Sequence, residues 1–162
     1  MMEEAAKRII EAIKKEWVLQ GHHLTGGFEE KLSYEIVTEE NKITLFIYDN
    51  TEHSHGKILN RGVPAEKIPF NPGSGKKESK YIQGLTKYAK LRMGATDKEA
   101  LSIAFAIAYT HLKEGMPSQG SYKYSKTDKR TEFVDDAWIK VEDIKQILQK
   151  EFKKLASQKI WQ

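Results

Sequence analysis

The sequence predicts an α+β fold: an amphipathic N-terminal helix, a small antiparallel sheet, and a helical C-terminal half with a β-arm or hairpin between the last two helices. Three observations predict it. Apolar residues recur at helical spacing in the first twenty positions, alternate with polar residues from Leu32 to Tyr48, and return to helical spacing after Tyr81. The 162 residues form a single domain with three parts: a helix and hairpin over 1–70, a flexible loop over 71–80, and a mainly helical part over 81–162.

In the first helix, Ala6, Ile9, Ile10, Ile13 and Trp17 make one apolar stripe, and Lys and Glu fill the opposite face. Gly21, Gly26 and Gly27 then mark a turn. Leu32, Tyr34 and Ile36 alternate with polar residues, Glu39 to Lys42 make an acidic turn, and Ile43 to Tyr48 return as the second strand. "HSHGKILNRGV" has room for one helical turn, whereas "PFNPGSGKKESK" has loop composition. "YIQGLTKYAKLRM" is helical and closed by Gly94. Thr96 and Glu99 form a capping box for the next helix. From Ala100 to Tyr109 that helix is apolar almost all round, which predicts burial on several sides or a subunit interface. Gly115 and Pro117 end it. A last amphipathic helix places Val141, Ile144, Leu148, Phe152 and Leu155 on one face.

Composition narrows the function classes. Hydrophobic residues make up 39% and charged residues 31%, a balance that favours a small or elongated core. No stretch approaches the ~20 apolar residues of a membrane span. The amphipathic, acidic start is unlike a secretory signal. With no cysteine, disulfides and thiolate metal sites are excluded, and synthesis in a reducing cytoplasm is expected. Residues 1–70 carry 9 Lys and Arg against 12 Asp and Glu, while residues 71–162 carry 18 against 11. Such a split fits a basic surface for nucleic acid, or a protomer whose two ends attract each other head to tail.

Chemical motifs are sparse. His22, His23, His53 and His55 are the candidate metal ligands, because an H-x-H pair on a strand points both rings to one side. No carboxylate stands at a ligand spacing beside them, so no metal is expected. "NPGSGKKES" lacks the spacing and preceding strand of a phosphate-binding loop. No nucleophile elbow is present, and Asp135-Asp136 fits a turn or a helix start better than acid–base work. The segment "EGMPSQGSYKYSKTDKRTEF" admits three uses: a nucleic-acid grip, a lid, or a docking arm. Tyr122 and Tyr124 can stack on bases while Lys123, Lys126, Lys129 and Arg130 meet phosphates. The same alternation describes a β-arm with its tyrosines on a protein neighbour and its lysines in solvent or facing DNA. On that reading Met116, Tyr122, Tyr124 and Phe133 are interface residues.

Thr25-Gly26-Gly27-Phe28 followed by Leu32 resembles the T-G-x-Φ-x-x-x-Φ element of tail-completion and neck (head–tail connector) proteins of tailed double-stranded DNA bacteriophages. In that family the element follows the first helix and opens a sheet. His55 to Gly62 and then Pro69-Phe70 fall where the family has its glycine turn and Pro-Phe. Lys31, His55 and Asn60 depart from the usual small polar, aromatic and acidic residues. The likeness covers roughly residues 5–70. Residues 80–133, with their G-M-P-x-x-G-S after a helix, look similar to a variant from phages and prophages of Bacteroidota. Thr25, Gly26, Gly62, Pro69 and Phe70 are the motif-turn residues. The resemblance implies a non-enzymatic virion protein with no cofactor, made in the host cytoplasm and located in the neck or tail. It would be a homo-oligomeric ring between the portal or adaptor and the tail, with DNA passing through its lumen and no membrane contact. The competing readings are a non-sequence-specific DNA-binding protein using the basic C-terminal half, and a metal-dependent nuclease using the histidines.

Overall fold

The computed structural model describes residues 2–39, 42–52, 54–74 and 79–159, without the side chains of 151, 152 and 155–159. The fold is α+β: α1 (Met2–Leu19), α2 (Gly27–Lys31), β1 (Leu32–Glu39), β2 (Lys42–Asp49), α3 (His55–Arg61), α4 (Lys80–Met93), α5 (Asp97–Glu114), α6 (Phe133–Lys140) and α7 (Glu142–Lys159). Short 3-10 helices occur at Ala65–Lys67 and Gln119–Tyr124. The chain groups into two compact units that do not follow the division at 71–80. Unit 1 joins Met1–Asn60 to Ser125–Gln162, and unit 2 is Arg61–Tyr124.

Unit 1 forms because apolar stripes far apart in sequence need one another. The α1 stripe of Ala5, Ile9, Ile13 and Trp17 is buried against Phe133, Ala137, Val141 and Ile144 of the C-terminal helices. Leu148 packs at the edge of this core, and Phe152 and Leu155 lie outside the described side chains. The hairpin pairs Leu32 with Asp49 through Glu39 with Lys42, so Leu32, Tyr34, Ile36, Leu45 and Ile47 share one face. Leu32, Leu45 and Ile47 of that face pack on the core. The other face exposes Phe46 and Tyr48, whose rings stack at 6.1 Å.

Helix α1 ends in a Schellman motif. Gly21 takes φ 75°, the His22 N–H donates to Trp17 O at 3.0 Å, and the Gly21 N–H donates to Val18 O at 3.0 Å. Asp49 organises the start of α3, accepting from the Thr51 N–H at 3.0 Å and the Gly56 N–H at 2.8 Å. Gly56 has no alternative, since a Cβ there would collide with the Phe28 ring.

Unit 2 is built on α4 and α5. Ser79 caps α4 by accepting from the Ile82 N–H at 3.2 Å, Gly94 closes it at φ 66°, and the Thr96–Glu99 capping box opens α5. Ala100, Ala104 and Ala108 recur every fourth residue as the buried ridge of α5. Such small side chains let the partner helix approach closely. Ile82, Leu85, Leu101 and Phe105 fill the space beside the ridge. The apolar girdle of α5 is thus only partly enclosed within its unit, and Tyr109 remains about half exposed.

Candidate functional site

The stretch from Gly115 to Phe133, expected as a β-arm, contains no strand. Gly115 ends α5 at φ 80°, and Met116 exchanges two backbone hydrogen bonds with Val63, both at 2.7 Å. The Met116–Pro117 peptide is cis. The Gln119 N–H donates to Glu114 Oε2 at 2.7 Å, and Gln119–Tyr124 winds into a 3-10 helix. Three residues per turn put positions i and i+2 about 240° apart, so Tyr122 and Tyr124 do not share a face. Period-two alternation misled because the local bonds of Ser118 and Glu114 close turns first: Ser121 donates to Ser118 O through both its N–H (2.9 Å) and its Oγ (2.7 Å).

The residues assigned to this segment separate into different environments. Tyr122 and Met116 are half-buried in unit 2. Tyr124 lies beneath the Arg92 guanidinium at 4.8 Å and beside Lys123 Nζ at 5.1 Å. Phe133 is not an interface residue but the centre of the unit 1 core, fully buried. Its ring meets Trp17 at 5.2 Å and Phe28 at 5.8 Å, both edge-on, while Trp17 stacks on Phe28 at 4.0 Å.

Arg130 is likewise not a DNA-facing cation. It is only 7% exposed, and its Nη1 donates to Gln20 O at 2.9 Å and Gly21 O at 3.0 Å. The positive charge thereby covers the carbonyl end of α1, where the helix dipole favours it. Lys129 is exposed and donates to both carboxylate oxygens of Asp136, at 2.8 and 3.1 Å. That hydrogen bond holds its ammonium above the usual lysine range. Lys126 is exposed, and its backbone N–H donates to Leu19 O at 2.7 Å. Residues 125–133 thus strap the end of α1 to the start of α6. We expect Arg130→Met to destabilise unit 1 by roughly 2–4 kcal/mol, because two buried carbonyls lose a charged donor. Lys129→Ala should leave the urea midpoint unchanged, and paired denaturation curves check both.

The histidines do not converge. His22 is buried, tilted against Trp17 at 4.8 Å, and the His23 ring pairs with Glu29. His55 opens α3, where its N–H donates to Thr51 Oγ1 at 3.1 Å, and His53 lies outside the described residues. Among the described residues no three metal-ligating side chains come together. No described helix is long and apolar enough to cross a membrane.

The motif residues occupy turns. Thr25 is exposed, Gly26 takes φ 81° before α2, and Gly62 takes φ 72° after α3. Pro69 is exposed, whereas Phe70 packs edge-on against Tyr109 at 5.2 Å in unit 2. Asn60, standing where the family resemblance expects an acid, accepts from the Glu132 N–H through its carbonyl at 2.8 Å. Its Oδ1 accepts from the Val134 N–H at 2.9 Å.

Two features went unread in the sequence. One is an apolar groove of about 170 Å³ in unit 1, floored by Ile9, Ile13 and Phe28 and flanked by the exposed Val134 and Trp138. The signal for it was "FVDDAWI", whose apolar positions are too many for one buried stripe. The other is a buried pair in unit 2, with Tyr81 Oη 2.6 Å from His111 Nδ1. Burial pushes Tyr81 up to about 12 and His111 below its ordinary value, so a neutral phenol and a neutral imidazole share one hydrogen bond, whose donor is set by the imidazole tautomer. In comparisons with known protein families, curated proteins and solved structures, the chain matches none.

Proposed function

We propose that the chain is a structural protein of the neck or tail of a tailed double-stranded DNA bacteriophage. In this reading it assembles as a ring that joins the portal or adaptor to the tail around the DNA channel. The observation that carries the proposal is the ordered series of helix, T-G turn, hairpin, glycine turn and Pro-Phe. In this series the glycines stand where the backbone demands them, Gly26 and Gly62 at positive φ and Gly56 beneath Phe28. The surfaces of unit 1 support it as well. The sheet has two strands, so each has an outer edge with no partner strand among the described residues. Phe46, Tyr48, Trp138 and Ile139 are exposed, and a neighbouring protomer would cover such surfaces.

Ring assembly predicts a particle of many protomers by light scattering, alone or when co-expressed with portal and adaptor proteins. Removing the gene should yield DNA-filled heads without tails. A chain that stays monomeric with every virion protein, in a phage that still attaches tails without it, would overturn the proposal.

A further inference from the structure

Counted by unit, the positive charge moves. Unit 1 holds 16 Lys and Arg against 18 Asp and Glu, and unit 2 holds 11 against 5. The basic excess is therefore a property of Arg61–Tyr124 and not of the C-terminal half. Helix α4 concentrates it, with Lys80, Lys87, Lys90 and Arg92 in fourteen residues and no acid among them. The other long helices, α1, α5 and α7, interleave Glu with Lys.

The exposed side of α4 is a row. At 3.6 residues per turn, Lys80 and Lys87 lie about 20° apart around the axis and about 10 Å apart along it. Gln83, Gly84 and Leu91 share their exposed sector. Lys90 sits at its margin and pairs with Asp97 at 2.6 Å. Gly84 is informative, because glycine inside a helix costs about 0.5–1 kcal/mol relative to alanine. An added Cβ there would meet nothing within 4 Å, so no packing inside the unit explains it. Its effect is to leave the middle of the lysine row flat, open to a broad object. In the last turn of α4, half-buried Arg92 lies about 120° around the axis from Lys80. Its guanidinium stands over the Tyr124 ring at 4.8 Å, with Lys123 Nζ over the same ring at 5.1 Å. That ring gathers two more cations at the C-terminal end of α4, to one side of the lysine row.

We propose that this side of α4, with Lys80 and Lys87 on either side of Gly84 and with Arg92 and Lys123 flanking its C-terminal end, is a contact for the sugar–phosphate backbone of duplex DNA. The row supplies ammonium groups as point charges around a flat centre. Such an arrangement neutralises phosphates without reading bases. The proposal is independent of ring assembly, since a monomer would show it equally.

The test titrates the full-length protein into labelled duplexes of about 30 base pairs and two unrelated sequences, by fluorescence anisotropy. Four neutralised phosphates predict equal affinity for both duplexes, and a loss of about a hundredfold between about 50 and about 200 mM salt. Lys80→Gln with Lys87→Gln should weaken binding and lower the slope against log salt by about two. Lys80→Arg with Lys87→Arg should retain binding. Lys7→Gln with Lys15→Gln, on α1, should change neither affinity nor slope. Circular dichroism confirms that each pair folds. Absence of binding at the lowest salt overturns the proposal, as does an equal loss from the α1 pair. Low-salt self-association abolished by the α4 pair, with no DNA binding, also overturns it and makes the row a contact for an acidic protein surface.

Discussion

Phe133→Ala is expected to lower the stability of unit 1 by about 3–5 kcal/mol, the range for removing a buried phenylalanine. The side chain is fully buried and meets Trp17 and Phe28 edge-on, so alanine leaves a void bounded by two large rings. Both lie on the far side of the chain from Phe133, which makes this residue a join between the N-terminal and C-terminal contributions to the core. A loss of this size is a large part of the ~5–15 kcal/mol that holds a typical domain together. Urea denaturation followed by circular dichroism should show a markedly lower midpoint, and Phe133→Leu a smaller shift. A wild-type midpoint for the alanine variant would contradict the core assignment and return Phe133 to the surface role expected from sequence.

Gly115→Ala should be comparably damaging in unit 2, at about 3 kcal/mol or more. At φ 80° and ψ −167° the residue occupies a region that is essentially restricted to glycine. A Cβ would also stand 2.6 Å from Val63 O and 3.2 Å from Ala65 N, both backbone atoms with little freedom to retreat. Relieving the clash means separating Met116 from Val63 and losing both of their hydrogen bonds. Hydrogen exchange should show the amides of Val63 and Met116 losing protection, while Gly120→Ala, with open space around it, should leave them unchanged. Retained protection in Gly115→Ala would show that the turn has slack the geometry denies.

The elements that sequence made legible were those decided locally. The α1 stripe, the hairpin alternation, the Gly94 stop and the Thr96–Glu99 box each depend on residues within a few positions of one another. The β-arm failed locally, where the turns at Glu114 and Ser118 overrode the alternation; the misplaced side chains were those that distant groups decide. Arg130 has the composition of a solvated cation, and only the carbonyls of Gln20 and Gly21, over a hundred positions away, make it a buried cap. Phe133 follows a basic stretch in sequence but is claimed by Trp17 and Phe28. The basic surface was sensed in the totals and misplaced, because a charge count by halves of the chain cannot anticipate that residues 125–162 return to the N-terminal unit.

That return has a consequence for the order in which the protein is made. Synthesis runs from the N-terminus, so α1 and the hairpin leave the ribosome with their apolar faces uncovered. They wait while the whole of unit 2, Arg61–Tyr124, is translated. Unit 2, being contiguous, can close as soon as Tyr124 emerges. Unit 1 can close only after Phe133 to Ile144 have followed. For the time it takes to translate those intervening residues, the half-built core is an adhesive surface. A stalled ribosome or a truncated product past Tyr124 would therefore release a finished unit 2 tethered to an unfinished, aggregation-prone unit 1.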